Sequence, residues 1–179
     1  MQTMLALLLL PAVHALYIYR ITENSTVTNA PVSYFRYEVE RCYREDEGSI
    51  KVTTGTNATN FIMNSFKTTD CEETKWSFDI RIGDSWKLDM DLPMIGGVTH
   101  RDPTVFCELQ QQMVTEYFTG ECAQRGAQTH RMAVQAINGT QHFVIQIFDS
   151  ADCSGEPTLH PITYPCGRCV DHYFTYCYH

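Results

Sequence analysis

The hexapeptide FKTTDC, residues 66–71, resembles FDSADC at residues 148–153, with Phe, Asp and Cys at the same positions. The fold prediction starts from this repeat. Each copy ends a longer pattern that begins with a cysteine, Cys42 in the first copy and Cys122 in the second. A Tyr-Phe pair precedes that cysteine in both copies, and an Asn-x-Thr tripeptide lies between the two cysteines of each. A pattern of this length at nearly constant spacing predicts an internal duplication.

The duplication predicts two modules of about 80 residues, 16–95 and 96–179. The segment 92–103, which holds two prolines and a Gly-Gly pair, is predicted to connect them. Because this connection is short, the modules are expected to merge into one domain around one core. A chain of this size can bury roughly 70% of its unfolded surface, so a core can form without a metal.

Apolar and polar residues alternate along most of the chain, which is typical of β-strands. Residues 32–43, VSYFRYEVERCY, read as one long strand with Tyr34, Arg36 and Glu38 on the same face. Polar segments typical of turns, such as Gly83-Asp84-Ser85, separate the alternating segments. The sequence therefore predicts an all-β, antiparallel fold of about five strands per module, packed as a sandwich or a barrel.

Residues 1–15, MQTMLALLLLPAVHA, are predicted to form a secretory signal peptide that is cleaved after Ala15. The apolar run is shorter than the roughly 20 residues that a membrane span needs. We therefore expect a secreted, extracellular protein without membrane insertion.

A secreted protein folds in an oxidising compartment, where an even number of cysteines indicates disulfides. The repeated pattern predicts Cys42–Cys71 and Cys122–Cys153 bonds, although the sequence leaves open a bond from either copy to a cysteine outside it. Four disulfides are expected in all, formed by Cys42, Cys71, Cys107, Cys122, Cys153, Cys166, Cys169 and Cys177.

The tail from Cys166 to Cys177, CGRCVDHYFTYC, allows three interpretations. Cys-x-x-Cys spacing occurs in zinc sites and in thiol–disulfide exchangers as well as in structural disulfides. A redox motif prefers a helix N-terminus, whereas here Pro165 precedes the motif and strand-like residues follow it. Structural disulfides are the preferred interpretation, so no metal and no cofactor are predicted.

Three Asn-x-Ser/Thr tripeptides predict a glycoprotein, with acceptors at Asn24, Asn57 and Asn138. Asn57 and Asn138 occupy matching places in the two copies, so the same exposed turn is expected twice. A glycan blocks close approach, so a partner surface is expected away from these turns.

The formal net charge of −8 argues against nucleic acid as a partner, because phosphate recognition needs clustered Lys and Arg. The expected partner is an extracellular protein or glycan. The sequence makes no prediction of oligomeric state.

Candidate catalytic residues are scattered. GDSW at 83–86 lacks the second glycine and the helix of a nucleophile elbow. Asp89 and Asp91 would share a face if WKLDMDL were a strand, as an acid/base pair or part of a calcium site, but a wet strand face is the simpler interpretation. No catalytic residue is predicted, although the chain after residue 15 holds six histidines, His100, His130, His142, His160, His172 and His179.

Aromatic residues make up 12% of the chain and are the remaining clue to function. Most are expected in the core, but tyrosines on the outer face of a strand would indicate a contact surface. The sequence thus favours a non-catalytic extracellular binding module. The alternatives are a carrier of a small apolar ligand, similar to lipocalins in size and secretion only and without their Gly-x-Trp signature, and a small extracellular hydrolase. The aromatic residues of interest are Tyr17, Tyr19, Tyr34, Tyr37, Tyr43, Trp76 and Trp86.

Overall fold

The computed structural model describes residues 15–45, 47–57, 59–83, 85–100, 113–158, 162–170 and 173–178. The predicted signal peptide up to His14 lies outside the described residues, as do Cys107, His160, His172 and His179.

The described chain forms β-strands, turns and bends, and every pairing between strands is antiparallel. The all-β, antiparallel prediction is confirmed. The strands are β1 (Tyr17–Asn24), β2 (Pro31–Glu38), β3 (Cys42–Glu45), β4 (Gly48–Thr54), β5 (Phe61–Phe66), β6 (Thr74–Ile80), β7 (Trp86–Leu88), β8 (Gly96–His100), β9 (Thr115–Phe118), β10 (Cys122–Arg125), β11 (Gln128–Ile137), β12 (Thr140–Phe148), β13 (Ile162–Pro165), β14 (Cys169–Val170) and β15 (Tyr173–Cys177).

The strands form three sheets. A seven-stranded sheet has the order β14-β15-β8-β9-β2-β1-β7, and the two four-stranded sheets have the orders β3-β4-β5-β6 and β10-β11-β12-β13. In the seven-stranded sheet β2 pairs with β9, so this sheet crosses the predicted module boundary at residue 95.

The predicted single strand over 32–43 is wrong, because the chain leaves β2 after Glu38 and re-enters a different sheet at Cys42. Glu40 takes a φ of 68°, a left-handed conformation that extended strands do not contain. The amide of Glu40 still donates to the carbonyl of Val52, at 2.7 Å, so the turn is tied to β4. The face shared by Tyr34, Arg36 and Glu38 is retained within β2.

One disulfide closes each four-stranded sheet. Cys42 is bonded to Cys71, and Cys122 is bonded to Cys153, in agreement with the pairing predicted from the repeated pattern. The second cysteine of each pair has a positive φ, 62° at Cys71 and 55° at Cys153. The backbone therefore reaches the second cysteine of each disulfide through the same kind of turn.

A buried hydroxyl braces each of these turns. The Oγ of Ser49 donates to the carbonyl of Thr68 at 2.6 Å, and the Oγ of Thr129 donates to the carbonyl of Ser150 at 2.5 Å. Each hydroxyl lies on the second strand of its sheet and each carbonyl lies shortly before the second cysteine. In both sheets a hydroxyl of the second strand thus holds the turn that leads to the disulfide.

The C-terminal cysteines are also oxidised where the structure describes them. Cys166 is bonded to Cys177, and Cys169 is disulfide-bonded as well. Among the described cysteines none is free. These bonds agree with the structural interpretation of the tail.

Two cores lie between the seven-stranded sheet and the smaller sheets. The first joins Ile18 and Tyr37 of the large sheet to residues of β3–β6, namely Tyr43, Ile50, Val52, Phe61, Met63 and Ile80. The second joins Phe118 to Met132 and Phe143. Both place one face of the seven-stranded sheet against a four-stranded sheet, which is a layered sandwich.

Successive residues of a strand point to opposite faces, so the residues between these core positions lie on the other face of the large sheet. On β1 these are Tyr17 and Tyr19, and on β2 they are Tyr34 and Arg36. We call this the outer face. Part of it is covered by Met90 and Leu92, which pack against Tyr19, Ile21 and Tyr34.

Candidate functional site

A pocket opens on the outer face beside the part covered by Met90 and Leu92. Its volume is about 280 Å³. We call it the tyrosine–arginine pocket, and it is lined by Tyr17, Arg36, Glu38, Arg41, Tyr43, Met113, Thr115, Tyr117, Tyr176 and Tyr178.

Strand register brings these side chains together from distant parts of the chain. Arg36 of β2 lies opposite Tyr19 of β1, and Tyr34 lies opposite Tyr117 of β9. The rings of Tyr34 and Tyr117 stack with centroids 5.6 Å apart and planes 22° apart. The centre of the outer face is therefore an aromatic layer built across the β2–β9 junction.

Arg36 is held between two tyrosine rings. Its guanidinium carbon lies 4.9 Å from the ring centroid of Tyr17 and 5.0 Å from that of Tyr117. One guanidinium nitrogen, Nη2, also donates to the hydroxyl of Tyr117 at 3.5 Å. Each cation–π contact of this kind contributes about 0.5–2 kcal/mol, so the guanidinium is fixed in position.

Arg36 has no carboxylate partner among the described residues. The two ion pairs found there join Arg41 to Glu38, at 3.1 Å, and His130 to Glu23, at 3.8 Å. Glu38 lines the pocket as well, but its charge is matched by Arg41. Among the described residues, no carboxylate therefore compensates the charge that Arg36 adds to the pocket.

The guanidinium stays protonated. Burial opposes a positive charge on Arg36, but the surrounding tyrosine hydroxyls outweigh this effect, and its pKa is raised. A half-buried arginine that keeps its charge and lacks a carboxylate can accept an anion from outside.

The neighbouring tyrosines remain neutral. Burial raises the pKa of Tyr34 and of Tyr178 to about 12. Burial also raises the pKa of Tyr19 and of Tyr176. These hydroxyls can donate and accept hydrogen bonds at physiological pH without repelling an anion.

Aromatic rings extend the pocket towards the C-terminus. Tyr176 and Tyr178 are nearly parallel, with centroids 6.5 Å apart and planes 11° apart, and Tyr178 also approaches Tyr117 at 6.3 Å. The amide of Tyr178 donates to the carbonyl of Ile95 at 2.9 Å, which ties the chain end to the sheet. Flat rings of this kind suit the apolar faces of sugars or the side chains of a protein.

Gly97 makes room for these rings. It lies opposite both Tyr117 and Tyr176 in the sheet. A Cβ at this position would lie 2.8 Å from Cγ2 of Thr115 and 3.2 Å from Cδ1 of Tyr117. A glycine at position 97 is therefore required for Tyr117 to pack closely against β8.

The predicted wet face carrying Asp89 and Asp91 is not on a strand. Strand β7 ends at Leu88, and Asp89 takes a φ of 45°, so the two carboxylates do not alternate along an extended chain. In the GDSW segment the carbonyl of Ser85 accepts from the amide of Ile21 at 2.8 Å, and Asp84 lies outside the described residues.

The described histidines do not converge. His130 lies on β11 near Glu23, and a ring nitrogen of His142 lies 2.9 Å from the carbonyl of Thr140. The backbone of His100 ends β8. Within the described ranges no three metal-ligating side chains lie close enough to hold an ion.

The sequon asparagines are exposed where the structure places them. Asn138 and Gly139 form the two-residue turn between β11 and β12, with φ values of 51° and 79°. Asn57 lies in the longer loop between β4 and β5, and Asn24 ends β1. The prediction that the same turn occurs twice is wrong, because the first connection spans residues 55–60 and the second only 138–139, although both join the second and third strands of a four-stranded sheet. The pocket, in contrast, is centred on the seven-stranded sheet.

The sequence pointed to tyrosines but not to Arg36. Tyr37 and Tyr43 belong to the first core, as the core interpretation predicts. The sequence did predict that Tyr34 and Arg36 lie on the same face of a strand. That Tyr117 and the C-terminal tyrosines meet Arg36 depends on pairing between strands far apart in the chain, which local patterns do not reveal.

No protein-family model, curated protein or solved structure matches this chain. The part of the chain that the structure describes has no helix long and apolar enough to span a membrane. The site is therefore interpreted from its own geometry.

Proposed function

We propose that this protein is a secreted, non-catalytic binding protein that recognises an extracellular protein or glycan through the tyrosine–arginine pocket. The observation that carries the proposal is Arg36, which is charged, half-buried, clamped by Tyr17 and Tyr117, and not paired with a described carboxylate.

A carboxylate on the partner fits this arrangement best. The guanidinium edge is planar and can donate two parallel hydrogen bonds to a carboxylate, while the rings of Tyr17 and Tyr117 lie about 5 Å from the guanidinium carbon. The pocket volume of about 280 Å³ admits one acidic side chain or one acidic sugar unit. The tyrosines around it would contact the apolar part of the same group.

Secretion and glycosylation are part of the proposal. The disulfides are consistent with an oxidising compartment, because such bonds are rare where thiols are kept reduced. The exposed sequon turns are accessible to glycosylation. These observations support an extracellular glycoprotein.

We also propose that the two halves are copies of one module. Each half supplies a four-stranded sheet of four consecutive strands, closed by a disulfide at the same place. Tyr34 pairs with Tyr117, its counterpart in the repeated Tyr-Phe pattern. Two antiparallel strands that pair at equivalent residues are related by a local two-fold axis, so the pocket lies beside the junction of the copies.

The carrier and hydrolase alternatives lack comparable support in the described residues. A carrier needs a closed apolar cavity, whereas the tyrosine–arginine pocket opens to solvent and presents a charge. A hydrolase needs a base and a carboxylate around a cleft; His130 lies 3.8 Å from Glu23, but neither residue lines the tyrosine–arginine pocket.

The proposal is tested by replacing the charge. The secreted protein is screened against arrays of glycans and of extracellular protein domains, and the affinity of each bound partner is compared between wild type and Arg36→Gln. A charged hydrogen-bonded contact is worth about 1.5–3 kcal/mol, so Arg36→Gln should weaken binding by at least about tenfold.

Arg20→Gln is the matched control. Arg20 also lies near an aromatic ring, 5.8 Å from the centroid of Trp86, but it lies outside the pocket. This variant should bind as wild type does. Partners that bind Arg36→Gln and wild type equally well would contradict the proposed site.

A further inference from the structure

Strand β6 is an exposed edge with an apolar surface. In the described chain it pairs only with β5. Its residues from Thr74 to Asp79 are all exposed, and Trp76 and Phe78 keep 46% and 43% of their surface accessible. Their rings stack with centroids 5.5 Å apart. An unpaired edge of this kind is a template for another strand.

The corresponding edge of the other four-stranded sheet is blunted. Strand β13 has four residues and ends at Pro165, which has no amide hydrogen to donate. Strand β6 has seven residues and no proline. Of these two edges as the structure describes them, β6 offers the longer run of backbone groups for pairing, with one register shift against β5 beside Lys75.

The sequence of β6 is complementary to itself in antiparallel orientation. If two copies pair about Ser77, Lys75 lies opposite the partner's Asp79, and Trp76 lies opposite the partner's Phe78. Opposite charges and aromatic pairs are the cross-strand contacts that stabilise a sheet. Each contact occurs twice, as a two-fold symmetric interface requires.

We propose that a second copy of this chain docks on β6, so that two four-stranded sheets join into one continuous eight-stranded sheet. The charge pattern favours a second copy over an unrelated strand, because Lys75 and Asp79 find their complements at the symmetric positions. Strand pairing of two seven-residue edges covers a small area, so the dimer is expected to be reversible, with a dissociation constant on the order of micromolar.

Dimerisation through β6 leaves the tyrosine–arginine pocket free. The pocket includes residues near β3, at the opposite edge of the sheet from β6. A dimer would therefore carry two pockets, and a partner with repeated acidic groups would be held by both. The dimer itself does not depend on the proposed function.

The test is sedimentation equilibrium of the intact secreted protein with charge variants. Wild type should show a concentration-dependent monomer–dimer equilibrium. Lys75→Glu places two like charges opposite each other at both ends of the interface, and Asp79→Lys does the same with the other sign. Each variant alone should dimerise at least about tenfold more weakly than wild type.

The decisive experiment mixes the Lys75→Glu and Asp79→Lys variants. Glu introduced at 75 in one chain then faces Lys introduced at 79 in the other, and the native Asp79 and Lys75 face each other at the second end. The mixture should form a heterodimer with near wild-type affinity, and the double variant Lys75→Glu/Asp79→Lys should regain self-association.

Lys87→Glu is the matched control, since Lys87 lies on β7, the edge strand of the seven-stranded sheet. It should dimerise as wild type does. Because Lys75 and Asp79 are exposed, their variants should keep the wild-type melting temperature at concentrations where all the proteins are monomeric, which a thermal scan verifies.

Three results would overturn the proposal. The first is a wild type that stays monomeric up to about 1 mM, a concentration at which even weak specific contacts form. The second is a dimer that neither single variant weakens. The third is a mixture of the single variants that does not restore association. The binding experiment on Arg36 is separate, so either proposal can fail alone.

Discussion

At the residue scale, Arg36 departs from the usual state of a partly buried arginine. Such a group normally pairs with a carboxylate of its own protein, because an unpaired charge is costly to bury. Here two tyrosine rings take the place of that partner. The rings fix the guanidinium without neutralising it, and the N–H groups that do not donate to Tyr117 are left for a ligand.

Gly97 is predicted to be necessary for the geometry of the pocket. In Gly97→Ala the new Cβ would meet Thr115 at 2.8 Å and the carbonyl of Glu116 at 3.1 Å. Overpacking of this kind costs about 1–3 kcal/mol, so chemical denaturation should show that loss in the free energy of unfolding. Gly83→Ala is the control, because a Cβ there meets nothing within 4 Å. Equal stability of the two variants would contradict the close packing of Tyr117 over β8.

Buried tyrosines should make stability fall at high pH. Burial raises the pKa of Tyr34, Tyr37 and Tyr178 to about 12, whereas the unfolded chain ionises near pH 10. The native state thus keeps protons that the unfolded state loses. The resulting stabilisation is complete below about pH 10 and is lost as the pH rises towards 12.

Ultraviolet absorbance of tyrosinate measures this effect. In the native protein Tyr34, Tyr37 and Tyr178 should titrate near pH 12, whereas in the denatured protein all tyrosines should titrate near pH 10. A native titration with a single step near pH 10 would mean that these three tyrosines are open to solvent.

At the scale of elements, alternation of side chains was enough to predict strands but not their partners. The face shared by Tyr34, Arg36 and Glu38 follows from period two alone. The break after Glu38 was missed because the apolar and polar pattern continues through it without a glycine or a proline. The sequence also could not predict that β2 pairs with β9, since this pairing depends on how distant parts of the chain pack and not on local sequence.

The disulfides were predictable because the repeated FxxxDC pattern fixes which cysteines correspond. A loop of about 30 residues closed by a disulfide is worth about 3.5 kcal/mol in the chain-entropy model. Replacing Cys42 and Cys71 together by serine should therefore destabilise the protein by about that amount. The matching pair, Cys122 and Cys153, closes a loop of similar length, with separations of 29 and 31 residues, and should cost about the same.

Denaturant unfolding of the two double variants gives both values. A loss confined to one pair would show that the two sheets are not closed in equivalent ways, and it would count against the proposed duplication.

At the scale of the whole molecule, the net charge and the pocket have opposite signs. The chain carries a formal charge of −8, whereas the described lining of the pocket contains two arginines, Arg36 and Arg41, and one carboxylate, Glu38. The screening length at physiological salt is about 8 Å, so an acidic group in contact with Arg36 experiences mainly the local positive charge. The surrounding negative surface would discourage acidic ligands from binding elsewhere.

The seven-stranded sheet explains how the two halves of the chain produce one site. Strand β9 of the second half brings Tyr117 to Arg36, and the end of the chain adds Tyr176 and Tyr178. Neither half holds these groups alone. If the halves are copies of one module, the pocket is a feature that arose from joining them.

The most direct test of the central claim follows the side chain of Arg36 itself by nuclear magnetic resonance. The Nε–H signals of Arg36 and Arg20, assigned with the two Gln variants, are recorded during titration with glucuronate, a sugar that carries a carboxylate, and with neutral glucose. Glucuronate should shift the Arg36 signal along a saturable curve, with a dissociation constant on the order of millimolar for so small a ligand, and should leave the Arg20 signal in place. Glucose should shift neither. Equal, non-saturating shifts of both arginines would contradict the claim that the tyrosine–arginine pocket is the binding site.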